Sequence, residues 1–355
     1  MEMIKTLLLE YSKRFAERSE AIVVSTRIRL ARNFSKFKFP SSADDVERVE
    51  ILNFSKHYVQ KLKDFKVFID LSTLTKPEQL ALQERRVISK ELLEKKEGVG
   101  VICSDKTLAS IMINEEDHLR IQVISNGFQL RDTWKKINEI DNAIDDYHYA
   151  FSPSMGYLTA CPSNVGTGMR ASVMMHLPGL ELTEQIQYLI DAVQQIGITV
   201  RGVQGEGSKA LGHMYQISNQ QTLGIREADE IQRLEHVTKT IMDQEMSARD
   251  ALLKHNRTQF LDKIGRIYGI LRSCYALTGE EAFEMLAWMR LAADYGIIDE
   301  KNRSGIDRYS VESQPGNLVV LYSKNLSPEE RDIIRAENMR IFFKKIKDPQ
   351  FDAKF

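Results

Sequence analysis

Cysteine is scarce in this 355-residue chain: Cys103, Cys161 and Cys274 are the only three, an odd number at wide spacings. That excludes a disulfide framework and a paired-cysteine zinc site, and it fits a reducing, cytoplasmic setting. Long apolar runs are missing too. The opening MEMIKTLLLEYSKRF is broken by Glu10, Lys13 and Arg14, and no stretch approaches the ~20 apolar residues of a membrane span, so neither a leader nor a membrane partner is expected. Neither sign of charge is in excess, with 49 Lys+Arg against 50 Asp+Glu, which excludes a basic body built to bind nucleic acid directly. Eight prolines and 19 glycines are too few for a collagen-like or low-complexity chain, and there is no internal repeat. At roughly 150 residues per domain, the length points to two folded units.

What is present is a change of pattern along the chain. Ile4, Leu7, Leu8, Tyr11 and Phe15 recur at helical spacing, so a short helix is expected over residues 1–20. From Ala21 onwards, β-branched runs (VFIDL, GVGVICSD, ASIMIN, LRIQVIS, YLTAC, ASVMMHL, ITVRGV, HMYQISN) alternate with helical stretches. They predict an α+β domain over 21–255 with a mixed or antiparallel sheet flanked by helices. Thr75 and Pro77 open a helix expected to run through Lys96, and Leu130, Trp134, Ile137 and Ile144 share one face of another. After Gly224 strand signals stop, and residues 256–355 read as an all-helical C-terminal domain whose last helix opens at the capping box Ser327–Glu330.

The familiar phosphate and metal templates are absent: no GxxxxGK[ST], no His-Arg-Asp, no Asp-Phe-Gly and no HExxH. Gly166-x-Gly168 and Gly205-x-Gly207 match a loose dinucleotide fingerprint, but each leads into a strand-like run where the fingerprint needs a helix. Arginines on strands offer another means of holding phosphate. Arg27 and Arg29 in STRIRLAR are two apart and so project from one face of an extended chain, while Arg120, Arg170 and Arg201 each stand at the edge of a strand. Guanidinium is permanently charged and pairs bidentately with phosphate oxygens, so five such groups can surround a triphosphate. The acids cluster elsewhere: Glu115, Glu116 and Asp117 fill one turn, and Glu206 stands in the glycine-flanked loop QGEGSKALG, read as a lid. Taken singly, each of these is more often a solvated surface charge, and Cys161, before a Gly-rich loop, fits either a buried structural thiol or a reactive one.

Together, STRIRLAR, NEEDHLR, CPSNVGTGMRAS, and TVRG followed by a glycine-rich loop and ISN resemble the phosphagen (guanidino) kinase superfamily, in the family's order, over about residues 21–225. STRIRLAR begins at Ser25, without the helical domain that precedes it in creatine and arginine kinases, and Arg331-Asp332-Ile-Ile-Arg335-Ala336 is similar to a C-terminal phosphoarginine-binding motif. Both features point within the superfamily to the bacterial protein arginine kinases.

The resemblance implies a phosphagen-kinase-like catalytic domain that uses ATP and Mg²⁺. It implies Arg27, Arg29, Arg120, Arg170 and Arg201 as nucleotide-phosphate ligands, and Glu116 and Glu206 as catalytic carboxylates. Cys161 is implied to contact the guanidinium, and Arg331, Asp332 and Arg335 to form an allosteric phosphoarginine site. No direct metal ligand is implied, although Glu115 and Asp117 are candidates to reach Mg²⁺ through water. Many phosphagen kinases carry a histidine where this chain has Met174. The implied partners are arginine-bearing protein substrates, a Clp ATPase/protease, a stress-response repressor and a zinc-binding activator protein. Self-association as a homodimer or higher oligomer is also implied, with the stretch FEMLAWMRLAADYGI as a candidate interface. A small-guanidine phosphagen kinase and a catalytically inactive phosphoarginine-binding adaptor are the competing readings.

Overall fold

The computed structural model describes residues 2–60, 62–95, 97–145, 148–203 and 210–352. Its centre is an eight-stranded sheet. The strands are β1 (Val23–Arg32), β2 (Phe65–Asp70), β3 (Gly100–Ser104), β4 (Ala109–Ile113), β5 (Leu119–Asn126), β8 (Met169–His176), β9 (Ile198–Gly202) and β10 (Met214–Asn219), while β6 (Phe151–Ser152) and β7 (Gly156–Tyr157) pair apart as a hairpin. The order is β2-β3-β4-β5-β1-β8-β10-β9, and every neighbouring pair is antiparallel.

Strand alternation gives this sheet two unlike faces. Ile28 and Leu30 of β1, Ile121 and Val123 of β5, Ala171 and Val173 of β8, and Ile217 of β10 are buried on one face. They form one core with Ile137 and Ile144 of α5 (Leu130–Asp145) and with Leu234, Val237 and Ile241 of α8 (Glu227–Ser273). Each large aliphatic side chain buried this way contributes ~1.5–3 kcal/mol, which fixes the strand register and therefore what the opposite face presents.

The remaining helices are α1 (Glu2–Phe15), α2 (Asp45–Val59), α3 (Lys76–Glu84), α4 (Lys90–Leu93), α6 (Pro178–Leu182), α7 (Ile186–Gln194), α9 (Gly279–Asp294), α10 (Arg303–Glu312), α11 (Pro315–Tyr322) and α12 (Pro328–Phe343). The helix expected from Thr75 to Lys96 is thus two, interrupted where Arg86 takes a left-handed φ of 60°. YLTAC is likewise no strand of the main sheet. Beyond Tyr157 its backbone turns to other partners: Leu158 donates to the Ala150 carbonyl and Ala160 to Asp117 Oδ1, at 2.8 and 2.7 Å. The final helix opens as its capping box demands, with Ser327 Oγ accepting from Glu330 N–H at 3.1 Å and Glu330 Oε2 from Ser327 N–H at 2.9 Å.

Helix α8 is long because it serves two cores. Its backbone departs from helical angles at Asn256 (φ −129°, ψ 26°). Up to Ala248 its apolar face joins the sheet's core, and from Leu252 onwards it joins a second core built with α9, α10 and α12. The stretch FEMLAWMRLAADYGI supplies that second core. Leu286, Met289, Leu291, Ala292 and Ala293 are buried within the chain, so it is not a free interface stripe.

Buried ion pairs join the two cores. Arg249 binds Glu245 and Asp294 at 2.6 and 2.8 Å, Arg290 binds Asp307 at 2.9 Å and donates to the Ala21 and Glu20 carbonyls, and Arg303 binds Asp294 at 2.6 Å. On the far side, Glu84 at the end of α3 accepts from the Gly316 and Asn317 N–H groups at the start of α11, both at 2.9 Å.

Candidate active site

The face of the sheet turned away from the first core carries the arginines. In the register, Arg29 stands between Arg170 on β8 and Gln122 on β5, while Arg27 stands between Ser172 and Ile124. Arg120 pairs with Ala31 of β1, and Arg201 with Gln216 of β10. Since directly paired residues share a face and residues two apart on a strand do as well, all five arginines lie on one face of the four strands β5, β1, β8 and β9. Gln216 reaches across to Arg27, whose Nη2 donates to its Oε1 at 3.1 Å.

Their electrostatics differ from those of ordinary surface arginines. Burial, aided by the charges of Arg86, Arg120 and Arg170, pushes Arg27 down to about 9, and burial with Arg27, Arg120 and Arg170 holds Arg29 well below the usual arginine range despite an upward pull from Glu115. Burial, Arg201 and Arg120 lower Arg170 in the same direction. Of these five arginines only Arg120 has a carboxylate partner in an ion pair among the described residues, Glu115. Arg29 Nε is buried and makes no hydrogen bond. Like charges held together without counter-charges cost free energy, and a polyanion is the ligand that offsets it.

Arg86 is a member of this cluster that strand periodicity does not reveal. It sits in the left-handed turn after α3, and its charge bears on Arg27. A doublet of arginines just past a helix end was the available signal.

The acidic turn sorts its three carboxylates by burial. Glu115 and Asp117 are buried, each 2% exposed, whereas Glu116 between them is exposed. Glu115 pairs with Arg120 and accepts from Ser89 Oγ at 2.5 Å. Asp117 accepts from Asn33 Nδ2 at 2.6 Å and from Ala160 N–H at 2.7 Å. Glu115 and Asp117, the candidates for reaching Mg²⁺ through water, thus also position Arg120 and the loop at Ala160. No group of three or more potential metal-ligating side chains occurs among the described residues. Under the turn, buried His118 is pushed down to about 4 by burial and stays neutral, with its Nδ1 accepting from Phe34 N–H at 3.0 Å.

Asp117 also brings in Cys161. By holding Ala160 it anchors the start of the short turn Pro162–Asn164, where Asn164 Nδ2 donates to Glu116 Oε2 at 3.4 Å and Cys161 Sγ lies 3.0 Å from Ser163 Oγ. Asn164 thus ties Glu116 to the turn that follows Cys161, which is itself half-buried. The loop ends in Gly166 and Gly168, both at positive φ; a Cβ on Gly166 would lie 2.2 Å from the Thr222 carbonyl oxygen, so only glycine lets the chain pass into β8. Glu206 lies outside the described residues.

The C-terminal triplet differs from the helix-surface picture. Arg335 is 1% exposed; it donates to the Ser313 and Leu277 carbonyls at 2.8 and 2.6 Å and pairs with Asp332 at 2.6 Å. Arg331 is half-buried and donates to the Leu326 carbonyl at 3.1 Å. Although four residues apart, the two arginines do not form one solvated clamp, because the face bearing Arg335 is packed against α9 and α10.

Comparisons with known proteins agree with this geometry. Residues 50–248 match the family model described as ATP:guanido phosphotransferase, C-terminal catalytic domain, and residues 257–354 match that described as Protein-arginine kinase McsB C-terminal domain. The protein-arginine kinase of Halothermothrix orenii is 43% identical over 318 residues, covering 89% of this chain and 91% of its own. That of Bacillus subtilis is 41% identical over 325 residues, covering 90% and 89%. Among solved structures, a lombricine kinase aligns with a TM-score of 0.58 at 24% identity over 70% of this chain and 78% of its own, a likeness of fold. The duplicated taurocyamine kinase from Schistosoma mansoni aligns with a TM-score of 0.59 at 19% identity, over 82% of this chain and 52% of its own. With matched models over both cores and relatives above 40% identity across nine-tenths of its length, the chain belongs to the ATP:guanido phosphotransferase family, in its protein-arginine kinase branch.

Proposed function

We propose that this enzyme transfers the γ-phosphoryl group of ATP to arginine side chains of proteins, with the nucleotide phosphates on Arg27, Arg29, Arg120, Arg170 and Arg201. The observation that carries the reading is the sheet face itself: five arginines, one carboxylate partner among them, beside an exposed Glu116. The residues divide the work. A guanidinium has a pKa above ~12 and a delocalised lone pair, so it attacks phosphorus only once a base takes a proton and fixes its plane. Glu116, steadied by Asn164, accepts that proton in this reading, and Glu206 aligns the same group as a second carboxylate. Cys161 lies against the guanidinium. The attacking nitrogen forms the N–P bond as the bond from phosphorus to the β–γ bridging oxygen breaks; ADP leaves with the electron pair, stabilised by the arginines. Mg²⁺ would arrive on the nucleotide's phosphates and add charge neutralisation there.

The same reading divides the chain into an N-terminal helix (1–20), a catalytic domain (21–255) and a helical domain (256–355), a boundary supported by the kink at Asn256. It gives Arg331, Asp332 and Arg335 a phosphoarginine-binding role for which Arg331 offers the more accessible guanidinium. It includes a cytoplasmic stress-response role, with phosphorylated proteins passed to a Clp-type protease, a repressor among the substrates, a zinc-binding activator, and self-association.

Incubation with ATP and an arginine-rich protein is expected to yield acid-labile, base-stable phosphate on arginine. Glu116→Gln should lower the rate at least 10²-fold, within the range of general-base catalysis. Transfer to free arginine or creatine alone favours a small-guanidine kinase, and full activity in the Glu116 variant rejects the base.

A further inference from the structure

We propose that the helical C-terminal unit forms the outer wall of the pocket that takes the nucleoside half of ATP, so that nucleotide affinity depends on how that unit is docked. The inference rests on the reading above, in which the sheet-face arginines hold the phosphates.

A cavity of about 630 Å³ opens where the arginine cluster ends, within the size range of small-molecule sites. Its floor is the same sheet face. Ser25, Ile124 and Met174 line it: Ser25 is two residues before Arg27 on β1, Ile124 is the cross-strand partner of Arg27, and Met174 is the partner of Ser25. At ~3.3 Å per residue the floor lies only ~7 Å along the strand from Arg27, about the span of a ribose between phosphate and base. Arg86 belongs to both places, lining the cavity while its charge bears on Arg27. A nucleotide with its phosphates on the arginines has its remaining half directed either here or outward into water, and this is the enclosed, partly apolar volume adjoining the cluster.

The opposite wall comes from the other core. Glu280 and Phe283 of α9, Ser310 and Val311 of α10, and Gln314 line it. Phe283 and Met174, from the two sides, can sandwich a flat base, and Ser310, Gln314 and Glu280 supply polar groups for its edges or for the ribose hydroxyls. This wall is held in place by groups outside the cavity. Arg290 pins Asp307, Ser19 Oγ donates to the same carboxylate at 2.5 Å, and Glu284 accepts from the Gly212 N–H at 2.7 Å. Arg335 joins two of the lining segments, since it donates to the carbonyls of Leu277, two residues before the wall residue Gly279, and of Ser313, next to Gln314.

Inorganic tripolyphosphate and ATP separate the two readings, because only ATP has a nucleoside. Hydrogen exchange of the full chain should slow across residues 279–314 with saturating ATP and remain as in the free protein there with tripolyphosphate, while both ligands protect β1. Ser310→Trp, filling the cavity from the helical side, should weaken ATP at least 10-fold and leave tripolyphosphate affinity unchanged. Failure of tripolyphosphate to compete with ATP in the parent overturns the arginine reading and this one with it. Competition with equal protection of 279–314 by both ligands, or with ATP affinity unaltered in a folded Ser310→Trp, overturns the nucleoside wall alone.

Discussion

Two populations of buried or half-buried arginine occur in this molecule, and their surroundings differ in one respect. At the junction of the two cores, Arg249, Arg290 and Arg303 meet Glu245, Asp294 and Asp307 in direct ion pairs. Burial pulls the Arg249 guanidinium down, but Glu245 and Asp294 outweigh it and its pKa ends raised. On the sheet face, Arg27, Arg29 and Arg170 meet chiefly other arginines, and every shift is downward. The first set holds the fold together because its charges are already neutralised. The second set leaves a positive field unsatisfied until an anion arrives, which is the electrostatic requirement for gripping the charged part of a nucleotide.

Breaking one member of each set should separate stability from activity. Arg249→Ala leaves Glu245 and Asp294 buried without their counter-ion, and a loss of ~3–5 kcal/mol in urea unfolding is expected. A loss under ~1 kcal/mol would mean that the junction does not rest on these pairs. Arg29→Ala should do the reverse. Relief of like-charge repulsion leaves the melting temperature unchanged or higher, while removal of one transition-state donor slows phosphoryl transfer by ~10²–10³-fold, about 3 kcal/mol. A destabilised Arg29 variant with normal turnover would place Arg29 with the structural set.

A smaller effect comes from His118 beneath the acidic turn. Burial lowers its folded pKa from 6.5 to about 4, against a weaker upward pull from the Lys38 carbonyl, so the neutral ring is the folded form. Its stabilisation is complete above the unfolded value near 6.5 and declines as pH falls towards 4. The parent's advantage over His118→Asn should shrink by about 2 kcal/mol between pH 7 and 5, as followed by urea titration. An advantage that grows on acidification contradicts the sign. Smallest is Ser327→Ala, which removes one half of the capping box and should cost ~1 kcal/mol without altering ATP affinity.

Much of the site was legible in the sequence because period-two spacing is a local property. Arg27 and Arg29 had to share a face, and the ends of LRIQVIS and RASVMMHL were visible as edges. That β1 lies between β5 and β8, which brings Arg120 and Arg170 to those two arginines, is a matter of strand order and has no local signature. The acidic turn was found but its division of labour was not. Only the packing of Ser89 against Glu115 and of Asn33 against Asp117 separates the two buried carboxylates from exposed Glu116. Arg86 escaped because its place depends on a left-handed turn that cuts a helix short. Arg331 and Arg335 were correctly placed on one capped helix, yet spacing alone cannot tell that Arg335 is turned inward to Leu277 and Ser313.

The central claim is that the unpaired arginines of the sheet face are the nucleotide's phosphate site, and calorimetric titration of ATP into the parent and into Arg29→Ala at matched ionic strength tests it most directly. Binding at least 10-fold weaker in the variant, with the unfolding transition intact, is the predicted result. Equal affinity in two equally folded proteins would contradict it.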